Sequence, residues 1–213
     1  MIDPPIKVID NFLPEDCFKY MAYNVMTTDS YRCHDFTVED TEADGSIEWF
    51  GERDTNPNPK RFHEILFSYG IYTQRHNKEI IHDLYHLLKK EFTILEEALN
   101  VKELLLLRAN CTHAVPQNYA SKWHTDLGTH HKAKKSKTCI LYLNKNNGGT
   151  KIKVGDRVEF VKSEPNRAVI FAGTLEHAGV WCTDRKLRFV LNINYIPNEE
   201  NEQEQEGSLN NSL

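Results

Sequence analysis

The chain has 213 residues, of which 39% are hydrophobic, a mean hydropathy of −0.59 and a formal net charge of −5. That is length enough for one large domain, and no apolar run approaches the roughly 20 residues a membrane helix needs. The five glutamates of the stretch 198–213 (Glu199, Glu200, Glu202, Glu204, Glu206) account for the whole net charge, so the body is near neutral and its charge argues neither for nor against a nucleic-acid partner.

Met1-Ile2-Asp3-Pro4-Pro5 has neither a basic n-region nor an apolar h-region, which predicts a cytoplasmic protein without a secretory signal. The five cysteines are odd in number and form no C-x-x-C pair; free, buried thiols in a reducing compartment are the expectation. Lys7-Val8-Ile9-Asp10 reads as a short strand. Leu13-Pro14-Glu15-Asp16 reads as a helix start with Pro at the first helical position and acids in the first turn, and Phe18, Met21, Ala22 and Val25 mark one face of that helix. From 36 to 61 the chain is acidic and aperiodic, a long loop that is either functional or merely flexible. A long helix is expected after Asn77, where Ile81, Leu84, Leu88, Phe92, Leu95 and Leu99 recur at three or four over roughly 20 residues, with Asn100 as its stop.

The pattern then switches to strands, at 104–114, 138–144, 151–154, 157–161, 167–172, 178–182 and 187–196, separated by Asn146-Asn147-Gly148-Gly149, Gly155-Asp156, Pro165-Asn166, Gly173 and Thr183-Asp184. Short strands at this spacing suggest a sandwich or barrel. The stretch 198–213 lacks aromatic and β-branched residues and should be disordered.

Two segments carry chemistry. In Trp123-His124-Thr125-Asp126, strand geometry would point His124 and Asp126 to one side. With His177 as a third donor, two imidazoles and one carboxylate can hold one face of a metal and leave the other open, as suits non-haem Fe(II). In the last strand, Leu187, Phe189, Leu191, Ile193 and Tyr195 form an apolar face, and Arg188, Val190, Asn192 and Asn194 the opposite one. Alone, this reads as an outer strand with a solvated polar face. With His177 upstream, it reads as one wall of a site.

Residues 124–195 resemble the 2-oxoglutarate- and Fe(II)-dependent dioxygenases, in the prolyl-4-hydroxylase-like branch. The resemblance is carried by His124-Thr125-Asp126, Ile140-Leu141-Tyr142-Leu143-Asn144, Gly148-Gly149-Thr150, Arg167-Ala168-Val169-Ile170-Phe171, His177-Ala178-Gly179-Val180 and Arg188-Phe189-Val190-Leu191-Asn192-Ile193-Asn194-Tyr195. It implies a mainly β fold with some α: a distorted double-stranded β-helix (jelly-roll, cupin-like) barrel backed by N-terminal helices. The dioxygenase domain would span 1–197, with helical support at 1–100 and a barrel core at 101–197. His124, Asp126 and His177 would bind Fe(II), and Arg188 would pair with the far carboxylate of 2-oxoglutarate. Tyr142 would donate its phenol to the same carboxylate, Asn192 would add a polar contact, and the Gly148-Gly149-Thr150 turn would be structural. The implied reaction consumes O₂ and 2-oxoglutarate and hydroxylates a substrate, with ascorbate as a supporting reductant. The carboxylate of Asp126 favours hydroxylation over halogenation.

The implied substrate is a peptidyl residue, prolyl first; a free amino acid or other small metabolite remains an alternative, as does a non-catalytic metal-binding barrel. Nucleic-acid dealkylating relatives carry a second arginine where this chain has Asn194, which lowers a nucleobase substrate. The lysine-rich loop 132–137 reads as a solvated connection. His130 and His131 read as exposed loop residues, and His82 and His86 as a helix-surface pair. His34, His63, His76 and His113 belong to no visible constellation, and Trp123 and Trp181 read as packing aromatics.

Overall fold

Alternation along residues 187–195 calls for one apolar face and one mixed face, and two sheets and a helical layer satisfy both. The computed structural model describes residues 5–35, 65–75, 78–117 and 119–198; the loop expected at 36–61, the tail beyond Asn198, and His63 and His76 lie outside the described residues. The strands are β1 (Ile6–Ile9), β2 (Arg32–Asp35), β3 (Ile65–Arg75), β4 (Lys78–Ile81), β5 (Val101–His113), β6 (Lys137–Tyr142), β7 (Gly149–Val154), β8 (Arg157–Lys162), β9 (Arg167–Ala172), β10 (His177–Val180) and β11 (Leu187–Pro197). The helices are α1 (Glu15–Thr27), α2 (Asp83–Leu87) and α3 (Lys89–Ala98).

The large sheet runs β1-β9-β6-β11-β5-β3-β2, with β4 paired to β3; the small one runs β10-β7-β8. All pairings are antiparallel. Phe189, Leu191, Ile193 and Tyr195 of β11 pack with Leu107 and Cys111 of β5 and Leu141 of β6 against Met21 and Val25 of α1, Leu88 between α2 and α3, and Phe92 and Leu95 of α3. The opposite face of the large sheet meets the small sheet through Ile140, Tyr142, Val169, Phe171, Val190, Ile152 and Val161. This is the double-stranded β-helix, mainly β and backed by helices. The odd-numbered face of β11 lies on the helices, as its alternation predicts.

The seven strands read from the C-terminal half are all present. Three others carry no recognised signal: β2, β4 and the 11-residue β3. The long helix is corrected. Lys78–Ile81 pairs back on β3 as a hairpin, and the His82 N–H donates to the Ile71 carbonyl. The consecutive β-branched Ile80 and Ile81 favour strand over helix. Helix begins only at Asp83 and breaks at Leu88, where φ −102° and ψ 23° leave the helical region. Leu84, Leu88, Phe92, Leu95 and Leu99 are nevertheless all buried, so the apolar period is real and its start lies later. Asn100 does stop the helix, with φ at +53°.

Pro14 sits one position earlier than expected, as the residue before the first turn of α1. The entry to α1 is pinned to the β8–β9 turn. The Asn166 carboxamide accepts from Leu13 N at 3.0 Å and donates to Leu13 O at 2.8 Å, and Arg167 forks onto Asp10 at 2.6 and 3.0 Å. Cys111, Cys139 and Cys182 are buried free thiols and Cys17 is half-buried. Among the described residues no helix is long and apolar enough to cross a membrane. Because Leu191 lies fully buried on the central strand, Leu191→Ala is expected to cost about 2–5 kcal/mol in denaturant unfolding; a loss under about 1 kcal/mol would contradict this packing.

Candidate metal centre and anion pocket

His124 and His177 meet across an isolated antiparallel bridge. His124 N donates to the His177 carbonyl at 3.1 Å, His177 N donates back at 2.9 Å, and the ring centroids lie 4.6 Å apart. The segment around His124 is therefore not the regular strand expected from its i, i+2 spacing. Asp126 follows in a bend, and that bend, not strand alternation, brings its carboxylate to the imidazoles.

Donor atoms of His124, Asp126 and His177 all lie within 4.8 Å of one another, and among the described residues no other group of three His, Cys, Asp or Glu does so. His124 Nδ1 is 3.0 Å from the Lys122 carbonyl and His177 Nδ1 is 3.3 Å from the Leu175 carbonyl. A carbonyl only accepts, so each Nδ1 carries the proton and each neutral Nε2 keeps a lone pair for a metal. Asp126 Oδ1 accepts from Asn192 Nδ2 at 2.8 Å, whereas the buried Oδ2 accepts no hydrogen bond and lies 3.5 Å from His177 Nε2. An unfilled carboxylate oxygen beside two imidazole lone pairs fits a divalent first-row cation.

Electrostatics agree. Burial pushes the Asp126 carboxyl up, but His177, His124 and Arg108 outweigh it and hold it below the usual carboxylate range. Burial pushes His177 down, while Asp126 more than reverses this and leaves it raised. Burial, with His177 nearby, lowers His124. The protonated His177–Asp126 pair therefore stabilises the metal-free fold at acidic pH, and that contribution is lost as pH rises through the raised His177 value. A metal competes for the same Nε2. Affinity should fall as pH drops through the raised His177 value, with release of the His177 proton on metal binding there. Calorimetry in buffers of different ionisation enthalpy counts that proton, and a pH-independent affinity would contradict the assignment.

A second pole lies on the same interior. Arg188 is buried, its Nη2 donates to the Gly149 carbonyl at 2.9 Å and lies 3.5 Å from Thr150 Oγ1, and its Nε has no partner. The Tyr142 oxygen lies 2.9 Å from Thr150 Oγ1 and 3.1 Å from the Val161 carbonyl, and its ring centroid is 5.7 Å from the guanidinium carbon. Burial pushes this phenol up to about 12, so it stays a donor at neutral pH. Asn110 Oδ1 and Thr112 Oγ1 are likewise buried without partners; Thr112 pairs with Arg188 in register and Asn110 with Val190. Buried orphan polar atoms are costly and mark a place for a polar ligand. His177 pairs in register with Ile152 and Arg188 touches Thr150. These two positions share a face of β7 about 7 Å apart, a separation suited to a short diacid with one end on a metal.

The structure thus brings His124, Asp126 and His177 together, and Arg188 and Tyr142 together. Asn192 joins the metal pole through Asp126. The Gly148-Gly149-Thr150 segment is more than a turn, since Gly149 and Thr150 supply the polar partners of Arg188. Sequence reasoning missed Arg108, whose Nη2 lies 3.8 Å from Asp126 Oδ1 and whose guanidinium burial brings down to about 10, with Asp126 opposing. Its signal was a cation inside the buried run 104–109. His130 and His131 are exposed, as are His82 and His86. Lys132 of the lysine-rich loop pairs with Glu103 at 2.5 Å. Trp181 is buried edge-on to Tyr119, and Trp123 lies under Lys153.

No protein-family model and no curated protein matches the chain. Solved structures do. A Pseudomonas putida prolyl-4-hydroxylase aligns at TM-score 0.50 and 14% identity over 92% of this chain and 95% of that one. A Trichoplax adhaerens prolyl hydroxylase in complex with a hypoxia inducible factor oxygen degradation domain peptide fragment aligns at 0.56 and 13%, over 98% and 88%. The non-heme alpha ketoglutarate dependent epimerase SnoN from nogalamycin biosynthesis aligns at 0.55 and 9%, over 91% and 78%. At these identities the likeness is one of fold.

Proposed function

We propose that the chain is an Fe(II)- and 2-oxoglutarate-dependent dioxygenase of the prolyl-4-hydroxylase-like kind, hydroxylating a peptidyl substrate. The observation that carries this is the pairing, on one barrel interior, of a His-Asp-His trio with a buried guanidinium whose Nε lacks a partner. His124 and His177 would offer Nε2 and Asp126 would offer Oδ2 to Fe(II). Arg188 would receive the far carboxylate of 2-oxoglutarate, with the Tyr142 phenol and the Thr150 hydroxyl beside it. Bound iron would supply O₂ activation coupled to decarboxylation of 2-oxoglutarate to succinate and CO₂. The chain's own part is to fix the donors, to keep both imidazoles in one tautomer through Lys122 and Leu175, and to exclude water with Ile140, Ile152, Val169 and Phe171. The peptidyl reading is supported by the prolyl hydroxylases that share the fold, one of them in complex with a peptide fragment.

The test is anaerobic addition of Fe(II) and 2-oxoglutarate, watched for a weak visible charge-transfer band, then O₂ with a succinate assay across prolyl peptides and free amino acids. A band followed by peptide-stimulated succinate supports the proposal. Stimulation by free amino acids alone would replace the peptidyl substrate with a small metabolite. Metal binding without band or succinate would leave a non-catalytic barrel.

A further inference from the structure

Four buried side chains form a directed chain ending on Asp126. Asn194 and Thr138 sit opposite each other in the β11–β6 register, and Thr138 Oγ1 donates to Asn194 Oδ1 at 2.8 Å. Asn194 Nδ2 donates to Asn192 Oδ1 at 3.1 Å, and Asn192 Nδ2 donates to Asp126 Oδ1 at 2.8 Å. Thr138 and Asn194 are fully buried, and Asn192 is 3% exposed. Each amide has its oxygen taken by the preceding donor, so each turns its NH₂ toward the next group. A flipped Asn192 would face its carbonyl oxygen to a carboxylate. The chain therefore has one favourable sense, and it delivers an N–H to Oδ1.

The two oxygens of Asp126 are thereby made unequal. Oδ1 holds the Asn192 amide and lies 3.8 Å from the Arg108 guanidinium. Oδ2 accepts no hydrogen bond and is the oxygen nearer His177 Nε2. We propose that Thr138, Asn194 and Asn192 are positioning residues that restrict Asp126 to ligation through Oδ2 alone, keeping the carboxylate from taking a second coordination position that a cosubstrate or O₂ needs. This rests on the reading of His124, Asp126 and His177 as a metal centre. The polar character of the even face of β11 then has a cause: Asn192 and Asn194 serve the carboxylate, while Arg188 serves the other pole.

The experiment titrates the purified, metal-free full chain with Co(II), without cosubstrate, following affinity by calorimetry and coordination by the visible ligand-field spectrum. Asn192→Ala is expected to bind Co(II) about 10- to 100-fold more weakly, with an altered spectrum. Thr138→Val, close in shape, should move both readouts in the same direction by less, and Thr138→Ser, which returns the hydroxyl, should restore both. Should Asn192→Ala not fold, the two Thr138 variants carry the comparison. Folded variants with wild-type affinity and an unchanged spectrum would overturn the positioning role while leaving the metal centre intact. A wild-type chain that binds no Co(II) would overturn the metal centre itself, a different and separately recognised result.

Discussion

Replacing His177 with alanine is expected to lower divalent-metal affinity by more than about 100-fold, beyond what loss of a supporting hydrogen bond causes, and to abolish succinate formation. The reason is local. His177 is 4% exposed, its Nδ1 is committed to the Leu175 carbonyl, and its Nε2 is 3.5 Å from the unfilled oxygen of Asp126. Truncation leaves a carboxylate and one imidazole, too few donors to hold a hard-to-borderline cation against water. It also opens space beside Phe171, whose ring centroid lies 5.1 Å from that of His177, so some stability will go with it. His124→Ala separates the two effects. His124 is only partly buried, so its removal should cost less in unfolding free energy and nearly as much in metal affinity. Retained affinity in both folded variants would remove the trio as a metal centre.

How much of this was legible beforehand depends on whether the signal was periodic or required long-range register. The period-2 alternation of β11 was sufficient: one face had to meet a core, and Phe189, Leu191, Ile193 and Tyr195 do. The 3.6 period of Leu84 to Leu99 was also real, but periodicity carries no boundary. Ile81 fits that period yet belongs to Lys78–Ile81, where the β-branched pair Ile80-Ile81 leans toward strand and the hairpin pairing with β3 fixes it. β3 itself, Ile65–Arg75, is rich in aromatic and β-branched residues, so its strand preference is written in its composition.

At the site, the donors were visible as residue types, whereas their supports were not. Arg108 faces Asn192 only through the β11–β5 register, and Thr138 faces Asn194 only through β11–β6. No spacing along one strand encodes those neighbours. The Gly148-Gly149-Thr150 segment illustrates the same limit. As sequence it is a turn; in the fold the Gly149 carbonyl holds Arg188, and a Cβ at Gly149 would run into the Val161 carbonyl. Its glycine is explained by that close approach.

Arg188→Ala should separate the two poles. A buried charge-assisted pair that loses one partner typically costs about 2–5 kcal/mol, so half-saturation for 2-oxoglutarate is expected to rise roughly 30- to 5000-fold. Metal affinity without cosubstrate should stay near wild type, because Arg188 bonds to Gly149 and Thr150 and to none of the trio. Arg188→Lys should recover little of the loss, since an ammonium replaces the guanidinium fork by a point charge and cannot offer two parallel donors to a carboxylate. Melting temperature guards the interpretation, as the guanidinium also ties β11 to β7. If Arg188→Ala keeps wild-type 2-oxoglutarate dependence, the partnerless Nε is no carboxylate anchor and the roughly 7 Å spacing along β7 loses its meaning. If instead metal and cosubstrate affinity fall together in a folded variant, the two poles are one coupled unit and Arg188 acts by holding the small sheet in place. The outcome expected from the geometry is the split: cosubstrate lost, metal kept.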